Sequence, residues 1–217
     1  MSNILIAPSI LSSDFTKLAE ELQAITSAGA DLLHLDIMDG HYVPNLTFGF
    51  CLIEAIRKVS SLPLDAHLMV TNPSDYIDRL AALGITYCSF HPETVFHPHR
   101  LVIQIKDQGL KAGLAINPGI PVSSVSDLLS ELDFVLLMSV NPGYSGQSFI
   151  PHVLDKVSQL KSEIRSRHLS VQIEVDGGIN QTNAPALIRA GADILVSASY
   201  IFSAADYSQA IRNLKHV

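Results

Sequence analysis

A single-domain α/β chain folded as a closed (β/α)8 barrel is what this sequence predicts, and three observations carry the prediction. Eight short runs rich in Ile, Val and Leu recur along the chain, segments with apolar residues three and four apart lie between them, and the length of 217 residues falls in the range such barrels occupy. The strand-like runs are "ILIAPSIL" (4–11), "DLLHLDIM" (31–38), "LPLDAHLMV" (62–70), "YCSFH" (87–91), "KAGLAIN" (111–117), "FVLLMSV" (134–140), "VQIEVDG" (171–177) and "DILVSAS" (193–199). An open doubly wound sheet would also alternate strands with helices, but it would concentrate polar residues at one switch point after an early Gly-rich turn. "APSIL" is no such turn. Instead Ser9, His34, Asp36, His67, Asp176 and Ser199 fall near the C-terminal ends of several different runs, which favours the TIM-barrel architecture.

The intervening segments read as helices with recognisable ends. In "SSDFTKLAEELQAITSAGA", Phe15, Leu18, Leu22 and Ile25 form one stripe, Ser13 is the expected cap, and Gly29 closes the turn. "NPSDYIDRLAALG" and "NQTNAPALIRAGAD" repeat the pattern, each opening on cap-forming residues and ending near Gly84 or Gly191. "INPGIP" (116–121) supplies a turn after the fifth run. "FHPHR" (96–100) lies where the fourth helix should begin, so His97 and His99 read as solvent-facing residues.

Bulk properties narrow the partners. Nothing marks a linker, so residues 1–217 are read as one domain. A formal net charge of −7 with only 14 Lys+Arg argues against a nucleic-acid surface and favours a small-molecule ligand. No apolar run reaches the roughly 20 residues that span a bilayer, and "MSNILIAPS" lacks the regions of a secretory signal, so no membrane partner and a cytoplasmic location are expected. Cys51 and Cys88 have no metal-type or redox spacing and read as buried free thiols.

Candidate chemistry begins in "HLDIMDG" (34–40). Strand side chains alternate, so His34, Asp36 and Met38 share one face while Leu33, Leu35 and Ile37 take the other; Asp39 falls outside that set and reads as a loop or capping carboxylate. His67 ends the third run and Asp176 the seventh. Any one of these residues alone would read as a hydrogen-bonded core polar group, but four at strand ends in a barrel mouth suit one divalent cation such as Zn, Fe, Mn or Co. Asp36 and Asp176, approaching a ligand from opposite sides, would form an acid/base pair able to invert a carbon next to a carbonyl. A carbon acid this weak calls for a Lewis acid on the developing enediolate oxygens. Met38, Met69 and Met138 sit on three strands and offer polarizable side chains to the same pocket. His41 and Tyr42 follow the second run and are placed over the mouth, whereas His91, at the end of the fourth, is left out of the site.

Glycine-rich turns cluster late in the chain. "NPGYSGQSF", with Gly143, Tyr144, Ser145 and Gly146, follows the sixth run; "DGGIN", with Gly177 and Gly178, follows the seventh; "SASYIF", with Ala198 and Ser199, follows the eighth. Backbone N–H groups in such loops, with the start of a short helix, are the usual phosphate site of a barrel.

Taken together, "IAPSILSSDF", "HLDIMDGHYVPNLTFG", "DAHLMV", "SVNPGYSGQSFI", "EVDGGIN" and "SASYIF" make the chain resemble the ribulose-phosphate 3-epimerase family over nearly its whole length. The resemblance implies a (β/α)8 barrel that interconverts D-ribulose 5-phosphate and D-xylulose 5-phosphate in the pentose phosphate pathway by metal-assisted 1,1-proton transfer. It implies that His34, Asp36, His67 and Asp176 bind the metal, that the two aspartates serve as acid and base, and that Ser9 and His67 contact substrate. It implies methionines that cushion the enediolate, and assembly into homo-oligomers. Two departures fall in the expected phosphate cup. The family usually has Gly-Gly where Tyr144-Ser145-Gly146 stands, and Gly-Ser-Ala where Ala198-Ser199-Tyr200 stands. They leave open a hexulose 6-phosphate, such as allulose 6-phosphate, as substrate. A sugar-phosphate-binding protein without catalysis is disfavoured, because the acid, base and metal-ligand positions are all filled. A related barrel decarboxylase would carry Asp-x-Lys on an inward strand, and Met38 occupies the lysine position.

Overall fold

The computed structural model of the protein describes residues 4–215. Eight strands make one parallel sheet: β1 (Leu5–Pro8), β2 (Leu33–Met38), β3 (Leu64–Met69), β4 (Ile85–Phe90), β5 (Lys111–Ile116), β6 (Phe134–Met138), β7 (Gln172–Asp176) and β8 (Ile194–Ser197). Each pairs in parallel with its neighbours in the order β1-β8-β7-β6-β5-β4-β3-β2. The remaining seam, β1 to β2, is bridged at Ser9 and His34, and the N–H groups of Asp31 and Leu32 donate to the Ile6 carbonyl at 3.0 and 3.4 Å. The sheet is therefore a barrel, as the dispersed polar residues predicted.

Register matters for the site. Ser9 lies one residue past the end of β1, yet it is level with His34, the second residue of β2. Strand stagger, which closing a sheet requires, raises His34 to the height of the mouth. The sequence placed His34 near a strand end. It lies in the first half of its strand, and shear, not position along the run, brings it to the site.

Helices α1 (Leu18–Ser27), α2 (Phe50–Val59), α3 (Ile77–Ala82), α4 (Pro98–Asp107), α5 (Val153–Ser166) and α6 (Ala184–Ala190) pack outside the sheet. After β8 come a single turn, α7 (Ser199–Phe202), and then α8 (Tyr207–Lys215). Their apolar faces meet the outward residues of the strands, Leu33, Leu35 and Ile37 among them, in a continuous annular core. Three local expectations change. The first helix begins with a 3-10 turn at Phe15–Lys17 capped by Asp14, whose Oδ1 accepts from the Thr16 N–H at 3.0 Å, while Ser13 bonds back to the Ile10 carbonyl instead. Phe15 thereby leaves the buried stripe, is 45% exposed, and packs against Phe48. No α-helix joins β5 to β6: Pro121 and four serines give two 3-10 turns, Val122–Val125 and Leu129–Glu131. Serine side chains compete for backbone groups and shorten such segments. Finally, Cys88 is buried as expected, but Cys51 is exposed on α2.

The barrel interior is divided. β1, β5, β6 and β8 fill their part with Ala7, Ala115, Phe134, Leu136, Ile194 and Val196. The Phe134 ring occupies the space where a Cβ on Gly113 would lie, and Tyr87 meets that ring edge-on at 5.4 Å. β2, β3, β4 and β7 instead point His34, Asp36, Asp65, His67, Ser89 and Glu174 inward, all buried. At the N-terminal end, a repeated device ties strand pairs together. Asp31, Asp133 and Asp193, each just before a strand, accept from the backbone N–H of Ile6, Ala112 and Ile173 in the adjacent strand at 2.8, 2.8 and 2.9 Å.

Replacing Asp133 with Ala strands the Ala112 N–H, and the expected loss is about 1–3 kcal/mol of unfolding free energy. Urea denaturation measures it. A variant as stable as the parent would show that water replaces the carboxylate there.

Candidate active site

Pocket and cluster both sit at the C-terminal mouth. A cavity of about 330 Å³ opens there, and its walls come from six strands: Ser9 after β1, Asp36 and Met38 on β2, Met69 on β3, Met138 on β6, Asp176 on β7, and Val196 on β8. The loop after β6 contributes Gly143, Tyr144, Ser145 and Gly146; the loop after β7 contributes Gly177 and Gly178; Ala198 and Ser199 come from the turn into α7. His34 and His67 do not line the cavity. Both are fully buried in the layer beneath Asp36.

Two small residues hold the rim in place. Thr47 Oγ1 donates to the Asp36 carbonyl at 2.6 Å and accepts from the Met38 N–H at 3.0 Å, pinning the end of β2. Ser139 Oγ donates to the carbonyls of Asp176 and Gly177 at 2.9 and 2.6 Å, locking β6 to β7. Gly177 and Gly178 have φ of +119° and +66°, and a Cβ on Gly178 would lie 2.8 Å from Gln147 O and Phe149 N. Only glycine permits this close approach of the two loops. Ala198, where the family usually has glycine, has φ of −107°, so alanine carries no left-handed strain there.

The polar layer is densely connected. Ser9 Oγ donates to Asp36 Oδ2 at 2.6 Å; His67 Nδ1 lies 3.2 Å and His34 Nε2 3.4 Å from Asp36 Oδ1. His34 Nδ1 is 2.5 Å from Asp65 Oδ2 and 3.6 Å from Glu174 Oε1, and His67 Nε2 is 2.9 Å from His91 Nε2. Asp65, Glu174 and His91 were not expected in the site. The signal for the first two was available: Asp65 is two residues before His67 and Glu174 two before Asp176, so strand alternation puts each on its partner's face. His91 lies just past β4 but two residues after the inward Ser89, on the same face of the run. His97 and His99 are exposed, as expected, and Asp39 is a loop carboxylate. Its oxygens accept from the N–H groups of His41, Tyr42 and Thr71 at 2.8, 2.9 and 2.8 Å, which outweigh partial burial and bring its pKa to about 2.

Charge is distributed unevenly across the cluster. Burial alone would raise Asp36, but the facing His34 imidazole, with the His67 ring beside it, holds it well below the carboxylate range. Asp176 receives no comparable bonds; burial, then the Asp36 charge, push it to about 7. Burial likewise lifts Glu174 well above the ordinary range, with Asp65 adding to the effect. His34 is raised despite burial because Asp65 and Asp36 flank it, whereas burial lowers His67 and, further, His91.

His34, Asp36, His67 and Asp176 each offer one ligand atom, all within 4.8 Å of one another. Two internal signs match a cation at this point. His34 Nε2 is buried without a hydrogen-bond partner among the described residues, and two carboxylates converge there with no lysine or arginine to balance them. The donor set of two imidazoles and two carboxylates suits a borderline divalent ion.

Fold and site together define a TIM-barrel enzyme with a buried carboxylate–imidazole cluster beneath its mouth. A sequence model described as the Ribulose-phosphate 3 epimerase family matches residues 5–202. The chain is 47% identical over 212 residues to a ribulose-phosphate 3-epimerase of Aquifex aeolicus, covering 97% of this chain and 95% of the relative. It is 45% identical to that of Bacillus subtilis (98% of each chain) and 43% identical to that of Escherichia coli (99% and 96%). The chain belongs to the ribulose-phosphate 3-epimerase family, and is an epimerase. A solved tryptophan synthase alpha-subunit from Pyrococcus furiosus superposes with a TM-score of 0.71 over 98% of this chain and 97% of that one, at 17% identity, a likeness of fold alone. No helix among the described residues is long and apolar enough to cross a membrane.

Zinc titration tests the charge distribution. Ligation needs His34 without its Nε2 proton and Asp176 ionised. Uptake should therefore release a proton from His34 throughout the neutral range and a further one from Asp176 as pH falls below about 7. Calorimetry in buffers of different ionisation enthalpy counts these protons. A release that stays flat across pH 7 contradicts the placement of a shared proton on Asp176.

Proposed function

We propose that this protein is a ribulose-phosphate 3-epimerase: it interconverts D-ribulose 5-phosphate and D-xylulose 5-phosphate, the C3 epimers of the pentose phosphate pathway, with Asp36 and Asp176 as the proton-transferring pair. The observation that carries the reading is the pair itself. Two carboxylates converge on one cavity, and their surroundings drive their pKa values apart in opposite directions. Such a split provides a base and an acid at the same pH. Asp36, held by the Ser9 hydroxyl, would take the C3 proton from one face, and Asp176, the more easily protonated of the two, would return one to the other. In the reverse direction the roles exchange.

A divalent cation held by His34, Asp36, His67 and Asp176, whether Zn, Fe, Mn or Co, would supply Lewis acidity at the C2 and C3 oxygens. The protein contributes the rest. Ser9 restrains Asp36 to one rotamer, Met38, Met69 and Met138 wall the reacting carbon with side chains that neither donate nor accept protons strongly, and the buried layer below excludes water. For the phosphate, the loops after β6, β7 and β8 converge on one side of the cavity. The N–H groups of Gly178, Ala198 and Ser199 have no acceptor among the described residues, and the Ser199 hydroxyl adds a donor. Negative φ at Ala198 keeps its N–H in an ordinary orientation, which supports the family's usual pentulose phosphate over a longer sugar. Several copies of the chain in one assembly would accord with the family resemblance.

Exchange of the C3 hydrogen of ribulose 5-phosphate into D2O is the direct test. It should be fast with the metal-loaded protein, lost on chelation and restored by a divalent ion, and Asp176→Asn should lower it by at least about a thousandfold, roughly 4 kcal/mol of barrel-site catalysis. Absence of exchange under every metal condition would sink the reading. Parallel turnover on allulose 6-phosphate decides sugar length, and higher kcat/KM on the hexulose would overturn the pentulose assignment.

A further inference from the structure

His91 has no part in the proton transfers above, yet it is fully buried against the cluster and its ring can be assigned from the solvent inward. Its Nδ1 has no hydrogen-bond partner among the described residues; the group it faces is Glu93 Oε1, at 3.7 Å. That oxygen is an acceptor held in place by the Tyr42 hydroxyl and by Asn117 Nδ2, both at 2.7 Å. A facing carboxylate favours the neutral tautomer with the proton on Nδ1, and that tautomer leaves Nε2 with the lone pair. His91 Nε2 lies 2.9 Å from His67 Nε2. Two ring nitrogens at that distance share one proton, so His67 must supply it.

His67 then presents its lone pair at Nδ1, and that atom faces Asp36 Oδ1 at 3.2 Å. Lone pair and carboxylate oxygen repel at this separation unless a positive centre lies close to both. The arrangement from Glu93 inward is thus the one in which His67 is ready to be a ligand. Its frame is rigid: the His91 carbonyl accepts from the N–H and the hydroxyl of Thr94 at 3.0 and 2.7 Å, and the Tyr42 ring packs on the imidazole with centroids 4.8 Å apart.

We propose that His91, oriented by Glu93, is a positioning residue that holds His67 in its Nε2–H tautomer and so turns the Nδ1 lone pair toward the cation it shares with Asp36. This rests on the cation site of the proposed function and adds a partner to it. Outer partners of ligating histidines characteristically act in this way, and losing one weakens metal binding on the order of 10- to 100-fold.

The test uses the full chain. Nitrogen-15 NMR of the zinc-loaded protein should show His67 protonated on Nε2 and His91 on Nδ1; a His91 proton on Nε2 overturns the proposal without any substitution. Cobalt(II) affinity and visible absorption are then compared for His91→Gln, whose amide oxygen can accept from His67, and His91→Leu, which cannot. The Leu variant should bind cobalt on the order of 10- to 100-fold more weakly with an altered spectrum, while the Gln variant stays close to the parent. Equal losses in both variants would reduce His91 to packing, and an unchanged Leu variant would remove its role. A parent protein that takes up neither zinc nor cobalt refutes the cation site itself, a separate failure that takes this proposal with it.

Discussion

Two carboxylates facing each other in a poorly solvated barrel mouth are the constraint on which the rest of this structure depends. Asp36 and Asp176 cannot both be ionised there without help, because like charges at short range in low dielectric repel strongly. The fold gives that help to one of them. Ser9, His34 and His67 all reach Asp36, while Asp176 is left with burial and the Asp36 field, so the Asp36 charge is stabilised and the Asp176 pKa is raised to about 7. The asymmetry comes from β2 having the bridge to Ser9 and the register match to His67 on either side.

Supporting such a cluster imposes a division of the barrel. Burying Asp65 and Glu174 beneath His34 leaves three carboxylate oxygens without partners among the described residues, an unfavourable arrangement for stability alone. Stability comes from elsewhere: the annular core between sheet and helices, the Phe134 plug beside Gly113, and the aspartates that clip neighbouring strands at the N-terminal end. The plug and the clips lie away from the mouth, where the loops after β6, β7 and β8 are shaped by glycines and close backbone contacts.

Much of this was legible in the residues. Alternation within "HLDIMDG" correctly separated His34, Asp36 and Met38 from the annular core and removed Asp39 from the set. The late glycine turns do border the same cavity as Asp36 and Asp176. The same parity rule, applied to "LDAH" and "IEVD", would have brought in Asp65 and Glu174. Within "YCSFH" it also puts His91 on the face of Ser89, though the strand itself ends at Phe90; it does not reach the 3-10 turns between β5 and β6, where a serine-rich run can satisfy its backbone in more than one way.

By itself, then, the sequence determined the periodic features: eight strands, the faces their side chains take, the residue types at the mouth, and through motif resemblance the family. These are local properties, set by alternation and by the chemistry of single residues. Only the tertiary structure decided which side chains meet. The stagger of a closed sheet lifts His34 level with Ser9, brings Asp176 from the far end of the chain to Asp36, and sets His91 against His67; such distances follow from the shear of the whole barrel, which no single segment encodes.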